Sequence, residues 1–405
     1  MYKIESAVKL KEIMGNYFLG MKDTTKKYAW CTSVGPAELL RSFGFEVHFP
    51  ENHGALLGTT RTAGDMIPET AKFGYSNDIC SYLTADIGSY LKKETPLTKH
   101  YGLNGPPKPS IIVYNTNQCR EVQDWFTYFG KELDCPVVGI CPPRHLDEVT
   151  KDEIADVAAQ FKSMIPICEQ ASGQKFDIDK FRETLRLSKE ATALWKQVLM
   201  TARVSPSPIS FFDATIHMGP IVVLRGTQIA KDYYTLLLEE LRGNVKKGIG
   251  FLEEEKCRIY WDGMPIWGKL RSLSELFIQN NAAIVASTYC NSWIFDAFDE
   301  KEPFESSAKA YTEIFINRSE HAKEKILAGL IRDFSIDGVI FHDAKTCSNN
   351  SNSRFGMPQR LRESLGIPTL IIEGDLCDLR FYSEGQSITK IETFIEQIES
   401  AKVFL

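Results

Sequence analysis

The residues best able to carry chemistry in this chain are its thiols. Ten cysteines stand at 31, 80, 119, 135, 141, 168, 257, 290, 347 and 377. No two form the close C-x₂₋₄-C pair of a structural zinc site. Separated thiolates gathered by a fold suit an iron–sulfur cluster instead, because iron–sulfur centres prefer soft sulfur ligands. With only three cysteines on a cubane, one iron keeps an exchangeable position, and the cluster becomes a reaction site as well as an electron carrier. The competing reading is packing, since free cysteine is often a small buried hydrophobe. Cys135, Cys168 and Cys257 are assigned to it.

The elements that must position such thiols are legible in the hydrophobic pattern. SIIVY (110–114) and PVVGI (136–140) read as short buried strands, with a helical stretch at 120–133 between them. Strand signals resume at CRIYWDG (257–263), AAIVAST (282–288), GVIFHD (338–343) and TLIIEGD (369–375). This is the βαβ alternation of a parallel sheet. Residues 4–21 have helical spacing, and Pro36 starts another helix. From 147 to 247 the pattern is helical, broken by SPSPIS at 205–210. The chain therefore predicts an α/β fold: two Rossmann- or flavodoxin-like parallel-sheet domains with an intervening helical section. The expected boundaries are 1–160, 161–248 and 249–405, and no internal repeat is evident.

On this map Cys119, Cys141, Cys290, Cys347 and Cys377 fall just beyond the carboxyl ends of strands. In open parallel sheets that edge is where ligands bind. Cys80, in KFGYSNDICSYL, is placed at a helix start with Asn77 or Asp78 as the cap, so that the helix dipole favours a thiolate.

Composition narrows the partners. The 405 residues are 43% hydrophobic and 25% charged, with a formal net charge of −6. A phosphate backbone rewards a basic surface, so nucleic acid is not an expected partner. No window approaches 18 uncharged apolar residues, and MYKIESAVKLKEIMGNYFLGMKD lacks the apolar core of a signal peptide. No membrane association, a cytoplasmic location and reduced thiols are expected. No GxxxxGK[ST] phosphate loop occurs, so any use of ATP falls to another protein.

Three segments then carry a resemblance: GYSNDIC (74–80), YNTNQCREVQDWF (114–126) and HDAKTC (342–347). They resemble the ligand segments of the iron–sulfur subunits of the 2-hydroxyacyl-CoA dehydratase and benzoyl-CoA reductase family. The tail at 366–399 is similar to that family's ending, and WCTSVGPAELLRSFGFEVHFPENHGA (30–55) to the opening of its catalytic subunit. The likeness implies a [4Fe–4S] cluster on Cys80, Cys119 and Cys347, with Ser33 and Glu51 beside the substrate thioester. It also implies an acyl-CoA substrate, a homologous second subunit or a second copy of the chain, and a separate ATP-dependent activator iron–sulfur protein.

The chemistry so implied is radical. One low-potential electron reaches the thioester carbonyl, hydroxide leaves, a base takes the β-proton and the electron returns. The same electron delivered to an aromatic thioester gives ring reduction.

Other readings stand beside these. Ser33 reads as a helix-capping hydroxyl and Glu51 as an exposed loop acid. His53 reads as a loop residue that assists proton transfer only if it faces the crevice. Arg61, Arg144 and Arg225 read as solvated surface, with contact to a CoA phosphate as the alternative, and SNNSNSR after Cys347 as a loop and cap or as donors to the cluster. A related branch of the family carries a double cubane on six cysteines, for which Cys31, Cys141 and Cys290 are the candidates, with packing as the alternative. The functional alternatives are an aromatic acyl-CoA reductase subunit, a double-cubane reductase of small molecules and a non-catalytic electron-transfer subunit.

Overall fold

In the computed structural model, which describes residues 3–403, eight parallel strands form two sheets. β1 (Tyr28–Cys31), β2 (Glu46–His48), β3 (Pro109–Asn115) and β4 (Val137–Ile140) pair in the order β2-β1-β3-β4. β5 (Cys257–Asp262), β6 (Ala282–Ser287), β7 (Gly338–Ala344) and β8 (Thr369–Gly374) pair in the order β6-β5-β7-β8. Both sheets thus have the flavodoxin-like order, and each reverses direction between its first and third strands. That reversal opens a crevice at the carboxyl edge. The expected α/β class is the observed one.

The six anticipated strands lie where their apolar runs stand. β1 and β2 are additional, because YAWC and EVH are too short and too poor in β-branched residues to announce themselves. They form strands through their neighbours: every residue of β1 is buried, and Trp30 is in register with His48 on one side and Ile112 on the other.

Between the sheets the chain is helical. The helix Ile178–Met200 is capped by Asp177, whose carboxylate accepts the N–H groups of Asp179 and Lys180. Phe181, Leu185, Ser188, Ala191, Trp195 and Val198 fall on one face and are buried. They pack against the helix Gln228–Lys247 and the short helix Ala37–Ser42. The helix Lys151–Ser163 lies against Pro303–Thr312 from the second half of the chain. One apolar cluster accordingly runs through Val113 of β3, Trp195 of the helical section and Val339 of β7. Among the described residues no helix is long and apolar enough to cross a membrane.

Arg225 ties these parts together and corrects the surface reading given to it, since it is fully buried. Its guanidinium donates to the carbonyls of Val222 and Gly35, each at 2.9 Å, and to the Tyr311 hydroxyl at 3.2 Å. The Glu38 carboxylate lies 3.2 Å away. Glu38 also accepts the Ser188 hydroxyl at 2.6 Å and the Tyr311 hydroxyl. A buried charge survives only when it is paired and hydrogen-bonded, and both conditions are met here. Arg61 is exposed and reaches the Gly268 carbonyl, whereas half-buried Arg144 holds the carbonyls of Thr116 and Gln118 in the loop before Cys119.

Removing the cation alone leaves the Glu38 carboxylate uncompensated. Arg225→Leu should therefore lower the unfolding free energy by about 3–5 kcal/mol in denaturant titration, and adding Glu38→Gln should recover part of it. A loss below about 1 kcal/mol would show that Arg225 is not the tie described.

Candidate active site

The loops at the carboxyl edges of both sheets enclose one cavity of about 500 Å³. Ser33 follows β1, Glu51 follows β2 and Cys119 follows β3, while Met264, Tyr289, Cys347 and Leu376 follow β5, β6, β7 and β8. The strand pairs that flank the two direction reversals are β1 with β3 and β5 with β7. This topology explains how residues hundreds of positions apart share a wall.

The loop carrying Ser33 is fixed at every residue around it. Thr32 Oγ1 accepts the Asn115 N–H at 3.0 Å, the Asn117 side chain donates to the Val34 carbonyl at 3.0 Å, and Arg225 holds the Gly35 carbonyl. Any side chain at Gly35 would place its Cβ 2.7 Å from both Cys31 Sγ and Thr32 Oγ1, so only glycine fits there. Gly263, after β5, has φ of 92° and backs directly onto the His342 and Asn350 carbonyls, another position closed to a side chain.

Glu51 is buried in the first turn of the helix Pro50–Thr59, not in an exposed loop. Its Oε1 accepts the Ser33 N–H at 2.9 Å, while Oε2 is buried without a protein partner. Burial pushes its pKa from 4.5 up to about 7, against the opposing hydrogen bonds from Ser33. Ser33 is not a helix cap: the helix Ala37–Ser42 begins after Pro36 with no side-chain cap.

Each of the three thiols implied by the resemblance sits at the start of a helical turn. Cys80 immediately precedes Ser81–Lys92, Cys119 lies two residues before Glu121–Glu132, and Cys347 precedes the 3₁₀ turn Ser348–Asn350. Asn77 and Asp78 do not cap the first of these helices; Cys80 itself occupies the cap position. Burial dominates all three thiols: those of Cys80 and Cys119 are raised and that of Cys347 is pushed up to about 11. Backbone N–H groups of Tyr82 and Leu83 at Cys80, Val122 at Cys119 and Asn350 at Cys347 act in the opposite direction. The charge of Cys80 is further opposed by Cys119 and Cys347.

Three desolvated sulfurs with mutual repulsion and N–H donors aimed at each are a set that a shared cationic centre would complete. Among the described residues no group of three His, Cys, Asp or Glu side chains is close enough to hold one metal ion.

A further contact, not anticipated from the sequence, joins two of the thiol segments. Ser81 N–H donates to Thr346 Oγ1 at 3.0 Å, and Thr346 donates through its N–H and hydroxyl to buried Asp375 at 2.8 and 2.7 Å. The only trace of it in the sequence is the Asp of TLIIEGD after β8. The SNNSNSR run divides its work: Asn349 and Asn350 line the cavity, and Asn352 holds both oxygens of buried Asp262 at 3.2 and 3.0 Å.

The remaining candidates lie apart from the cavity lining. His53 is a buried helix residue rather than a loop residue, held by Asp86 at 2.5 Å and Thr95 at 2.8 Å. Asp86 also accepts the Trp125 indole at 2.9 Å, so the pair braces a cavity-lining aromatic. Cys31 is fully buried beneath Gly35, Cys290 is buried with its sulfur 3.8 Å from the Thr215 hydroxyl, and Cys141 is exposed. None of these three lines the cavity. Cys141 and Cys290 follow the edge strands β4 and β6.

Paired crevices of this kind define an α/β ligand-binding chain. The chain belongs to the family described as 2-hydroxyglutaryl-CoA dehydratase, D-component, whose pattern matches residues 32–398. It is 29% identical to the lactoyl-CoA dehydratase subunit alpha of Anaerotignum propionicum, over 98% of this chain and 98% of that protein. It is also 29% identical to the (R)-phenyllactyl-CoA dehydratase alpha subunit of Clostridium sporogenes, over 95% of this chain and 92% of that protein. Identity to a benzoyl-CoA reductase subunit from Thauera aromatica is 30%, over 99% of this chain and 96% of that protein.

The Glu51 carboxyl gives a pH signature. Because folding raises its pKa from 4.5 to about 7, the native state holds the proton more tightly than the unfolded chain. Its contribution is complete below pH 4.5 and is lost as pH rises through about 7. Glu51→Gln cannot titrate, so its stability relative to the parent should rise by about 3 kcal/mol between pH 4.5 and pH 8 in urea titrations. An unchanged difference across that range would contradict the raised pKa.

Proposed function

We propose that this chain is the catalytic, cluster-bearing subunit of a 2-hydroxyacyl-CoA dehydratase. The observation that carries the reading is the meeting of Ser33, Glu51, Cys80, Cys119 and Cys347 on one cavity. Cys80, Cys119 and Cys347 would hold a [4Fe–4S] cluster, and bound there it supplies low-potential one-electron transfer. The reading favours one cluster over two, because Cys31, Cys141 and Cys290 have separate surroundings and none borders the cavity. Full-length likeness to proteins named as alpha subunits supports a second, homologous subunit. A separate ATP-driven activator would supply the electron.

The chain's own residues have definite tasks in this reading. The fixed Ser33 loop orients the thioester. Glu51, with one oxygen committed to the Ser33 N–H and the other free, holds or releases a proton near neutral pH. A general acid or base works best with a pKa close to the working pH. That proton is placed to assist departure of the 2-hydroxyl or to come from the β-carbon. Trp125, Trp267 and Tyr289 on the cavity wall exclude water from the reacting carbons.

The test is conversion of a 2-hydroxyacyl-CoA to its enoyl-CoA, followed in the absence of oxygen with the partner subunit and an ATP-driven electron donor. The parent should turn over without net consumption of electrons, and Glu51→Gln and Ser33→Ala should each lose about a hundredfold or more in kcat. Stoichiometric electron consumption on benzoyl-CoA with no dehydration would transfer the assignment to ring reduction. Full activity of both variants would assign the chemistry to a partner.

A further inference from the structure

The cavity's charge pattern bears on which acyl group could enter it. Among the described residues, the only charged side chains on its wall are Lys11, Glu51 and Glu121. No arginine or histidine reaches it. Neither acid offers a carboxylate a partner, and Lys11 is solvent-exposed on the leading helix Ala7–Gly20, where water screens it. The rest of the wall is carbon-rich: Met218 and Val222 from the helical section, and Trp293, Ile314 and Ile316 from the second half of the chain.

Two of the indole N–H groups on the wall are committed to protein partners. The Trp267 indole donates to the Tyr82 hydroxyl, and the Trp125 indole to Asp86. Amide and hydroxyl groups of Asn52, Gln118, Thr215, Ser292, Asn349 and Asn350 also border the cavity, but none of them carries a charge.

We propose that the acyl subsite takes a neutral, apolar acyl group, aliphatic or arylalkyl, and rejects one that ends in a carboxylate. The proposal rests on the acyl-CoA reading above. The family's description names a glutaryl thioester, which carries a second carboxylate. In this cavity that group would lose its hydration, find no buried cation and face Glu51. An unpaired buried carboxylate is costly enough to separate the two classes by roughly a hundredfold or more in affinity.

The experiment is a fluorescence titration of the full chain, with any chain that co-purifies, prepared without oxygen. Trp125, Trp267 and Trp293 on the wall supply the signal. Hexanoyl-CoA, 3-phenylpropionyl-CoA and glutaryl-CoA share the same CoA and differ only in the acyl part. The two neutral thioesters should bind about a hundredfold or more tightly than glutaryl-CoA. Glutaryl-CoA binding within about tenfold of the neutral pair overturns the inference and leaves the acyl-CoA reading intact. Failure of all three thioesters to bind overturns that reading, and the inference with it.

Discussion

A guanidinium without access to water is the constraint on which the rest of this structure depends. Arg225 comes from the helical section, grips the carbonyl of Gly35 in the loop after β1 and pairs with Glu38 of the first half and Tyr311 of the second. Burying that charge is favourable only if every donor finds its acceptor, so the three parts of the chain must dock in one arrangement. Gly35 is two residues from Ser33, which donates to Glu51. The interaction that closes the fold therefore also sets the loop that carries Ser33.

The second constraint is topological. Two sheets with the same strand order present two reversal crevices, and the chain folds them against one cavity. Cys119 and Cys347 lie on loops that leave β3 and β7, the third strand of each sheet. Cys80 is brought to them by the hydrogen-bond chain from Ser81 through Thr346 to Asp375. Each thiol opens a helical turn, where backbone N–H groups favour sulfur as an anion while burial opposes it. This balance suits sulfur that is bound to a cationic centre and ill suits a free thiolate.

Much of this is legible in the chain. The six longer strands have apolar runs that read directly, and the strand-end positions of Cys119 and Cys347 follow from them. β1 and β2 are not legible, because three- and four-residue strands are created by their neighbours' pairing rather than by their own pattern. Pattern alone does not separate Cys119 and Cys347 from Cys141 and Cys290, since all four follow strands; which of them reaches the cavity depends on how the loop after each strand folds. Arg225 reads as surface for a related reason. Its burial depends on Glu38 and Tyr311, 187 and 86 positions away, and no local composition records that. The same holds for His53, whose partners Asp86 and Thr95 lie on other turns of the fold.

The central claim is that one cubane binds where Cys80, Cys119 and Cys347 meet. Iron and acid-labile sulfide per chain, measured after purification without oxygen, test it most directly. The account predicts about four of each per chain. It predicts loss on changing Cys80, Cys119 or Cys347 to alanine, and none on changing Cys31, Cys141 or Cys290. About eight irons, or a content that depends on Cys31 and Cys290, would contradict the single-cluster assignment. A chain that holds no iron under strict anaerobiosis would contradict the site itself.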